Sequence, residues 1–333
     1  MAHPDLAPYQ LELAHLGEPR HTRVRSLASP SDTLHPSDAP LVLVVAAGGL
    51  GTRLLAPNVT GPKSLVPLIG RPLLAWALEA IMCPTVAAVF VTGPPDALTS
   101  LLSIARAFCP CRPIYEVSQP TPSGTLDALA RVLHSARSVL PDSLQHAPLA
   151  YLLGDNIPSR GALSAALSNL RIDAASFLTR HATISGSSAV VGRDTSGAIT
   201  SLLKPAVPLP GVEILCGLYV FGPWIWRRRS LGPETDTTPS STGEWNIDSL
   251  TKLVIQHRAY STLPILGPWV HINTPSDYAQ ALACPPNVPS IAVDGPIPPA
   301  RPPPNNSPDC VRTRSRARKQ RGSAVSWCAK RGE

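Results

Sequence analysis

An unbroken apolar run, Leu41–Ala47, that stops at a glycine-dense turn constrains this chain more than any other feature. Seven apolar residues with no polar interruption suit a strand covered on both faces, which requires helices packed on either side of its sheet. Gly48, Gly49 and Gly51 follow, then two isolated cations, Arg53 and Lys63, then an apolar helical pattern from Leu73 to Ile81. Strand, glycine turn, cation and helix together offer backbone N–H groups and positive charge to a phosphate chain. Glycine removes the side chain that would hold the backbone away and makes positive φ available. Two familiar phosphate motifs are excluded. The dinucleotide fingerprint fails because Leu54 stands where its last glycine belongs, and the P-loop fails because Pro62 separates Gly61 from Lys63 and the upstream glycine is missing.

Beyond this stretch, apolar strands alternate with helical patterns, the signature of an α/β fold. Strands are expected at Leu41–Ala47, Val86–Thr92, Arg112–Val117 and Ala150–Leu153, with helices at Leu73–Ile81, Ala97–Ala107 and Leu126–Ala136. Ligands of such sheets bind outside the carboxyl ends of the strands. The glycine turn, the Gln119–Thr125 loop and Asp155 each follow a strand directly, so they are expected to share one cleft. Further strands are expected at Ala174–Thr179 and at Ser188–Val191 and Ile199–Leu203 about the turn Arg193–Gly197.

The net charge of +7 is concentrated in one place. Residues 301–333 hold nine Arg and Lys against Asp309 and Glu333, and the other 300 residues carry 20 charges of each sign. Residues 285–308 contain ten prolines, which excludes regular helix or sheet there. We therefore read 1–38 as a loosely ordered extension with room for a short helix at Tyr9–Leu16, 39–284 as the folded domain, and 285–333 as a Pro-rich then Arg-rich disordered tail. The arginine run could bind nucleic acid or acidic lipid, but no aromatic residues interleave it, so a base-stacking role is unsupported. No stretch approaches the ~20 apolar residues of a membrane span. The beginning of the chain shows no signal-peptide core, and the seven cysteines are odd in number and scattered. A cytoplasmic protein with free thiols is expected. Cys109-Pro110-Cys111 is too tight for the usual zinc spacing.

The whole stretch from Gly48 to Glu79 resembles the signature of the sugar-phosphate nucleotidylyltransferases. Gly48, Gly49, Gly51, Thr52, Arg53, Leu54, Pro57, Thr60, Pro62, Lys63, Leu65, Pro67, Leu68, Pro72, Leu78 and Glu79 are in register with it. The resemblance implies a Rossmann-like, mixed but mostly parallel sheet of the nucleotide-diphospho-sugar transferase (GT-A-like) type, with a nucleotide half over 39–158 and a sugar-phosphate half over 159–284. It implies Arg53 and Lys63 as catalytic cations, Gly48, Gly49, Gly51 and Thr52 as nucleotide contacts, and Gln119, Gly124 and Thr125 as a pyrimidine-reading loop. A glutamine can both donate to and accept from such a base. Leu153-Gly154-Asp155-Asn156 is similar to the family's L-G-D-N, whose Asp binds Mg²⁺; by itself an Asp there serves as well to cap a helix.

In the second half, Lys204-Pro205 resembles the end of the family's E-K-P, with the lysine near the sugar phosphate. Gly217 lies in Cys216–Phe221, which resembles the family's T-G-L-Y-x-F strand, and Gly243-Glu244-Trp245-Asn246-Ile247 resembles its G-E-x-x-I helix start, which implies a helix over Ile247–Gln256. The departures are Leu203 for the glutamate, Ser188 for an upstream glycine, and His271 for the second metal-binding Asp in Trp269–Tyr278, which otherwise resembles W-x-D-I-G-T-P-x-D-Y. Imidazole is a poor magnesium ligand, and Asn273 lies on the same side of the strand as His271. Either Asn273 faces the metal, or His271 lines the cleft without touching it. The implied reaction joins a pyrimidine nucleoside triphosphate, dTTP or UTP, to a sugar 1-phosphate such as glucose 1-phosphate, with Mg²⁺; homo-oligomers stay open, and neither a membrane nor a nucleic-acid partner is expected. Three alternatives stand beside it: a different acceptor such as a choline phosphate, a non-catalytic binder of nucleotide sugars, and a nucleic-acid-binding protein acting through the arginine tail.

Overall fold

The computed structural model describes residues 39–54, 61–121, 123–168, 170–171, 173–184, 188–204, 209–228, 243–258, 260–265 and 268–283. All of these fall within one unit of the chain, Met1–Val288. The N-terminal extension with its Tyr9–Leu16 helix, the tail from 285 onward, and Pro57, Thr60 and Pro205 lie outside the described residues.

Strand β1 (Leu41–Ala46) is the centre of the molecule, as its unbroken apolar run requires. Its side chains alternate between two cores. Leu41, Leu43 and Val45 face helices α1 (Leu73–Ile81), α2 (Pro95–Phe108) and α4 (Ala162–Ser168). Val42 and Val44 face α3 (Thr125–Val139) and α5 (Ile247–His257). Residues Leu41 to Val45 are fully buried, and each such side chain contributes on the order of 1.5–3 kcal/mol. Helix α1 is apolar nearly all round because its outer side meets a third, smaller cluster of Leu68, Leu73, Trp76, Ile157 and Ile272. Its one charged residue, Glu79, accepts from Arg71 Nη2 at 2.5 Å, and that guanidinium stacks 4.3 Å above the Trp76 ring.

The chain builds its sheet outward from β1 in both directions. β4 (Val86–Gly93) pairs parallel with β1, and β5 (Ile114–Ser118) pairs parallel with β4 at the edge. The chain then returns through α3, and β6 (Leu149–Leu153) pairs parallel with the opposite side of β1. The gap between β1 and β6 is thus the topological switch point, where open α/β sheets hold ligands. Past β6 the sheet turns antiparallel. β11 (Leu209–Phe221) pairs with β6, β8 (Ala175–Ile184) and β9 (Val190–Arg193), and β10 (Ile199–Leu203) pairs with β9. β12 (Tyr260–Pro264) runs parallel to β8.

The expected elements are present. β8 and β11 extend further than their apolar runs because paired neighbours carry the polar ends. The Arg193–Gly197 turn forms around the Asp194 carboxylate, which accepts from the Ser196 N–H at 2.9 Å and the Ala198 N–H at 3.0 Å. Two short ladders flank the main sheet: β2 (Pro67–Leu68) with β3 (Arg71–Pro72), and β7 (Asn156–Ile157) with β13 (Val270–His271). Helix α6 (Pro275–Ala283) closes the domain.

Candidate active site

The site opens where β1 and β6 end. Ala46 O accepts from the Gly154 N–H at 2.8 Å, so the two strand ends are tied together. A Cβ on Gly154 would lie 2.9 Å from that carbonyl, so only glycine permits this approach. The glycine turn then folds back over the cleft. Gly49 O accepts from the Lys63 N–H at 2.7 Å, and Ser64 Oγ donates to Ala47 O at 2.9 Å. Gly51 has φ +65, and a Cβ there would lie 2.8 Å from Lys63 Cβ. This glycine is therefore fixed by its contact with the lysine stem as much as by any ligand. Thr52 and Arg53 are exposed on the turn, and Arg53 has no ion-pair partner among the described residues.

Lys63 is 6% exposed and points into the cleft. Its ammonium pairs with Asp155 Oδ2 and donates to Asn273 Oδ1 at 2.5 Å. His271 Nε2 lies 3.8 Å from the same Asp155 oxygen and 2.7 Å from Asn273 Nδ2. All four residues singled out in the sequence as catalytic or metal-binding at this point therefore meet, although 210 positions separate Lys63 from Asn273. The β7–β13 ladder does this: it sets His271 opposite Asn156, and Asn273 follows on the same side. Asp277 then holds Asn273, accepting from its backbone N–H and from that of Thr274, both at 2.9 Å, as it caps α6.

Burial works to raise the Asp155 pKa, but the charge of Lys63, the nearby His271 and hydrogen bonds from Lys63 and Asn156 outweigh it, so the carboxyl lies below its ordinary value. Burial lowers the His271 pKa, with Lys63 adding to the effect and Asp155 opposing it; the imidazole is neutral at pH 7. Among the described residues, no three His, Cys, Asp or Glu side chains gather as a metal cluster. The donor set here is one carboxylate, one amide oxygen and one imidazole. Magnesium characteristically takes one or two carboxylates together with substrate phosphates and water. Asp155 and Asn273, whose oxygens already converge on one positive centre, fit that mode; His271 does not.

The other expected contacts are placed less simply. Gln119 is buried, and its Nε2 donates to Gly124 O at 2.9 Å and to Asp127 Oδ2 at 3.1 Å. Its Oε1 faces Gly48, where a Cβ would stand only 2.7 Å away. The carboxamide thus sits beside the glycine turn with its donor side committed within the fold. Gly124 has φ +101, and a Cβ on it would lie 2.4 Å from Trp245 O. Thr125 Oγ1 accepts from the Ile247 N–H at 2.9 Å, and Thr125 O accepts from the Tyr151 hydroxyl. The Gly243–Ile247 segment therefore closes over the Gln119 loop. Gly217, at φ +67, leaves no room for a Cβ, which would fall 2.7 Å from Asn156 Nδ2. Lys204 is half-exposed and pairs with Asp248 Oδ2 at 2.6 Å, apart from the Lys63 cluster. Ser188 is buried, and Leu203 stands half-buried beside Lys204.

Residues 42–283 match the nucleotidyl transferase family over most of the chain. The chain belongs to that family. Among characterised members it is similar to the low-salt glycan biosynthesis nucleotidyltransferase Agl11 of Haloferax volcanii, with 25% identity over 243 residues, 72% of this chain and 64% of that one. The chain thus spans less than two thirds of that relative's length. Its fold matches a protein of Bacillus anthracis described as a glucose-1-phosphate thymidylyltransferase, crystallised with sucrose, at a TM-score of 0.60 and 17% identity, over 73% of this chain and 94% of the other. It also matches a UDP-glucose pyrophosphorylase complexed with UDP-glucose, at a TM-score of 0.56 and 17% identity, over 73% and 97%. The α/β fold with a mixed, mostly parallel central sheet that the signature implied is thereby established. Among the described residues no helix is long and apolar enough to cross a membrane.

Several residues that build this nucleotidyl transferase site had no assigned role in the sequence reading. Asn156 Nδ2 donates to Asp155 Oδ1 at 2.6 Å, and Trp269 Nε1 donates to Asn156 Oδ1 at 3.0 Å. Asp277 and Ser64 position Asn273 and the Lys63 turn. The advance signal for Asn156 and Trp269 was their place in the L-G-D-N and W-x-D-I-G-T-P-x-D-Y matches, which attached no role to them.

Proposed function

We propose that the protein joins a sugar 1-phosphate, glucose 1-phosphate foremost, to a pyrimidine nucleoside triphosphate, dTTP or UTP, releasing pyrophosphate, in the cytoplasm. An oxygen of the acceptor phosphate attacks the α-phosphorus in line, the bond to the α–β bridging oxygen breaks, and the pyrophosphate takes that electron pair. The nucleophile is already an anion, so no general base is needed. The work is to bring two anions together and neutralise their charge. The backbone of Gly48–Gly51 holds the triphosphate, with Thr52 beside it. Arg53, with no ion-pair partner among the described residues, presents its fork to the β and γ oxygens and the departing pyrophosphate. Lys63 moves from Asp155 and Asn273 onto the α-phosphoryl and the attacking phosphate. Gln119, Gly124 and Thr125 border the base, and Lys204 with Gly217 the acceptor. A divalent cation on Asp155 and Asn273, Mg²⁺ in the simplest case, would lower the repulsion between the two phosphates.

The observation that carries this reading is the buried Lys63 ammonium beside the glycine turn at the β1–β6 switch, paired to Asp155 and Asn273. A changed acceptor is the second reading. It is favoured by Leu203, which offers a sugar ring no hydrogen bond, and by the engagement of Lys204 with Asp248. Pyrophosphate release across four triphosphates and a panel of sugar 1-phosphates and choline phosphate separates the two. Release that needs a pyrimidine triphosphate with glucose 1-phosphate supports the first reading, and release only with another acceptor supports the second. Nucleotide binding without any release would leave a binding protein.

A further inference from the structure

We infer that Asp127 is a positioning residue for base selection: it turns the Gln119 carboxamide so that only its oxygen faces the nucleotide, which selects uracil or thymine over cytosine. The inference rests on the proposed placement of the base at the Gln119 loop, and adds to it a residue and a rule of choice. Asp127 lies in the first turn of α3, one helical turn before Arg131, whose Nε donates to Asp127 Oδ2 at 2.8 Å. The same oxygen accepts from Gln119 Nε2 at 3.1 Å, and Gly124 O accepts from that nitrogen at 2.9 Å.

Both partners of Nε2 are acceptors, one a carbonyl and the other a carboxylate facing a guanidinium. A carboxamide nitrogen has two hydrogens to give and its oxygen has none, so a flipped Gln119 would set oxygen against oxygen twice. The two acceptors are themselves held. Arg131 holds Asp127, and Trp245 brackets Gly124, its N–H donating to Ser123 O at 2.8 Å and its carbonyl accepting from the Leu126 N–H at 2.7 Å. The Gln119 N–H donates to Gly93 O at 2.8 Å, which pins the residue at the end of β4. Gln119 Oε1 has no donor among the described residues and lies against Gly48, the first glycine of the turn.

An acceptor with no donor beside it reads a ring N–H. Uracil and thymine donate from N3, whereas cytosine carries a lone pair there, which would meet Oε1 as acceptor against acceptor. A site built around one such bond rejects the analogue that lacks the hydrogen, because its own polar atom is then left unpaired. A carboxamide free to turn would offer Nε2 to cytosine instead. Asp127 denies cytosine that second face without touching the nucleotide.

The test is equilibrium binding of UTP and of CTP to the full chain, by calorimetry without any acceptor. The wild type should prefer UTP by at least about a hundredfold. The Asp127–Arg131 pair is partly exposed, so Asp127→Ala should fold, and its preference for UTP should fall at least about tenfold, chiefly through tighter CTP binding. Asp127→Asn keeps an acceptor oxygen turned by Arg131 and should keep the preference. An unchanged preference in Asp127→Ala, an equal fall in both variants, a wild type that binds CTP as tightly as UTP, or no UTP binding at millimolar concentration would each overturn the inference. Selective UTP binding without pyrophosphate release would sink the transfer reading and leave this one standing. Release with UTP by a wild type whose preference survives in Asp127→Ala would sink this inference alone.

Discussion

The parallel and antiparallel halves of the sheet treat their charged residues differently. In the parallel half, Lys63 is buried at the strand ends and tied to Asp155 and Asn273 by contacts that cross the whole domain. In the antiparallel half, Lys204 stands half-exposed at the end of β10 and pairs with Asp248 in the first turn of α5. A buried ion pair is expensive to leave half-made, whereas an exposed one contributes little. The half to which we assign the triphosphate is therefore bound into the stability of the fold, and the half to which we assign the acceptor is less constrained. Of the three departures, Leu203 and Ser188 fall on that less constrained side, and His271 falls in the Lys63 cluster.

This contrast can be broken most severely at Asp155. Asp155→Ala leaves the Lys63 ammonium buried without its carboxylate and should cost about 3 kcal/mol, read as a lower urea midpoint at constant m-value, with pyrophosphate release abolished. A variant as stable as the wild type would show that the pair is not part of the fold's support. Gly217→Ala comes next. Its Cβ would meet Asn156 at 2.7 Å from a backbone at φ +67, so a loss of about 1–3 kcal/mol is expected, with reduced activity because Asn156 orients Asp155.

Lys204→Ala sharpens the comparison from the other half. Stability should change by less than about 1 kcal/mol while KM for the acceptor rises and KM for the triphosphate does not. A loss of stability equal to that of Asp155→Ala would erase the distinction between the halves. The smallest effect concerns Glu213 on β11, which accepts from Arg193 Nε at 2.7 Å and Nη2 at 2.6 Å. The hydrogen bond from Arg193 holds its carboxyl below the ordinary glutamate value, against the opposing effect of burial. A carboxylate with a depressed folded pKa stabilises the fold above its unfolded pKa, and that contribution fades as pH falls through the folded value. Acid unfolding of Glu213→Gln should therefore be less steep below the ordinary glutamate range than that of the wild type, with the two curves parallel at neutral pH.

Local pattern made much of this visible in the sequence. The apolar run of β1, the nine residues of α1 and the turn at Arg193–Gly197 are set by neighbours in the chain. Asp155 was found because it ends a buried strand, and such ends converge. What the sequence hid depends on long-range pairing. The two-residue β7–β13 ladder has too little length to show a period, yet it carries His271 to Asp155, helped by the Ile272 N–H on the Asp155 carbonyl. Likewise only the fold shows the Trp245 carbonyl packed against Gly124. Nothing local reveals that Asp248, 44 positions away, pairs with Lys204.

The most direct measurement is pyrophosphate release by wild type and by Arg53→Ala, each followed alongside thermal unfolding. Arg53 is exposed on the glycine turn with no ion-pair partner among the described residues, so its loss should leave the melting temperature unchanged. The account predicts release by the wild type and at least a tenfold fall in the variant. A variant that keeps more than about a tenth of the rate would contradict the assignment of the glycine turn to the triphosphate.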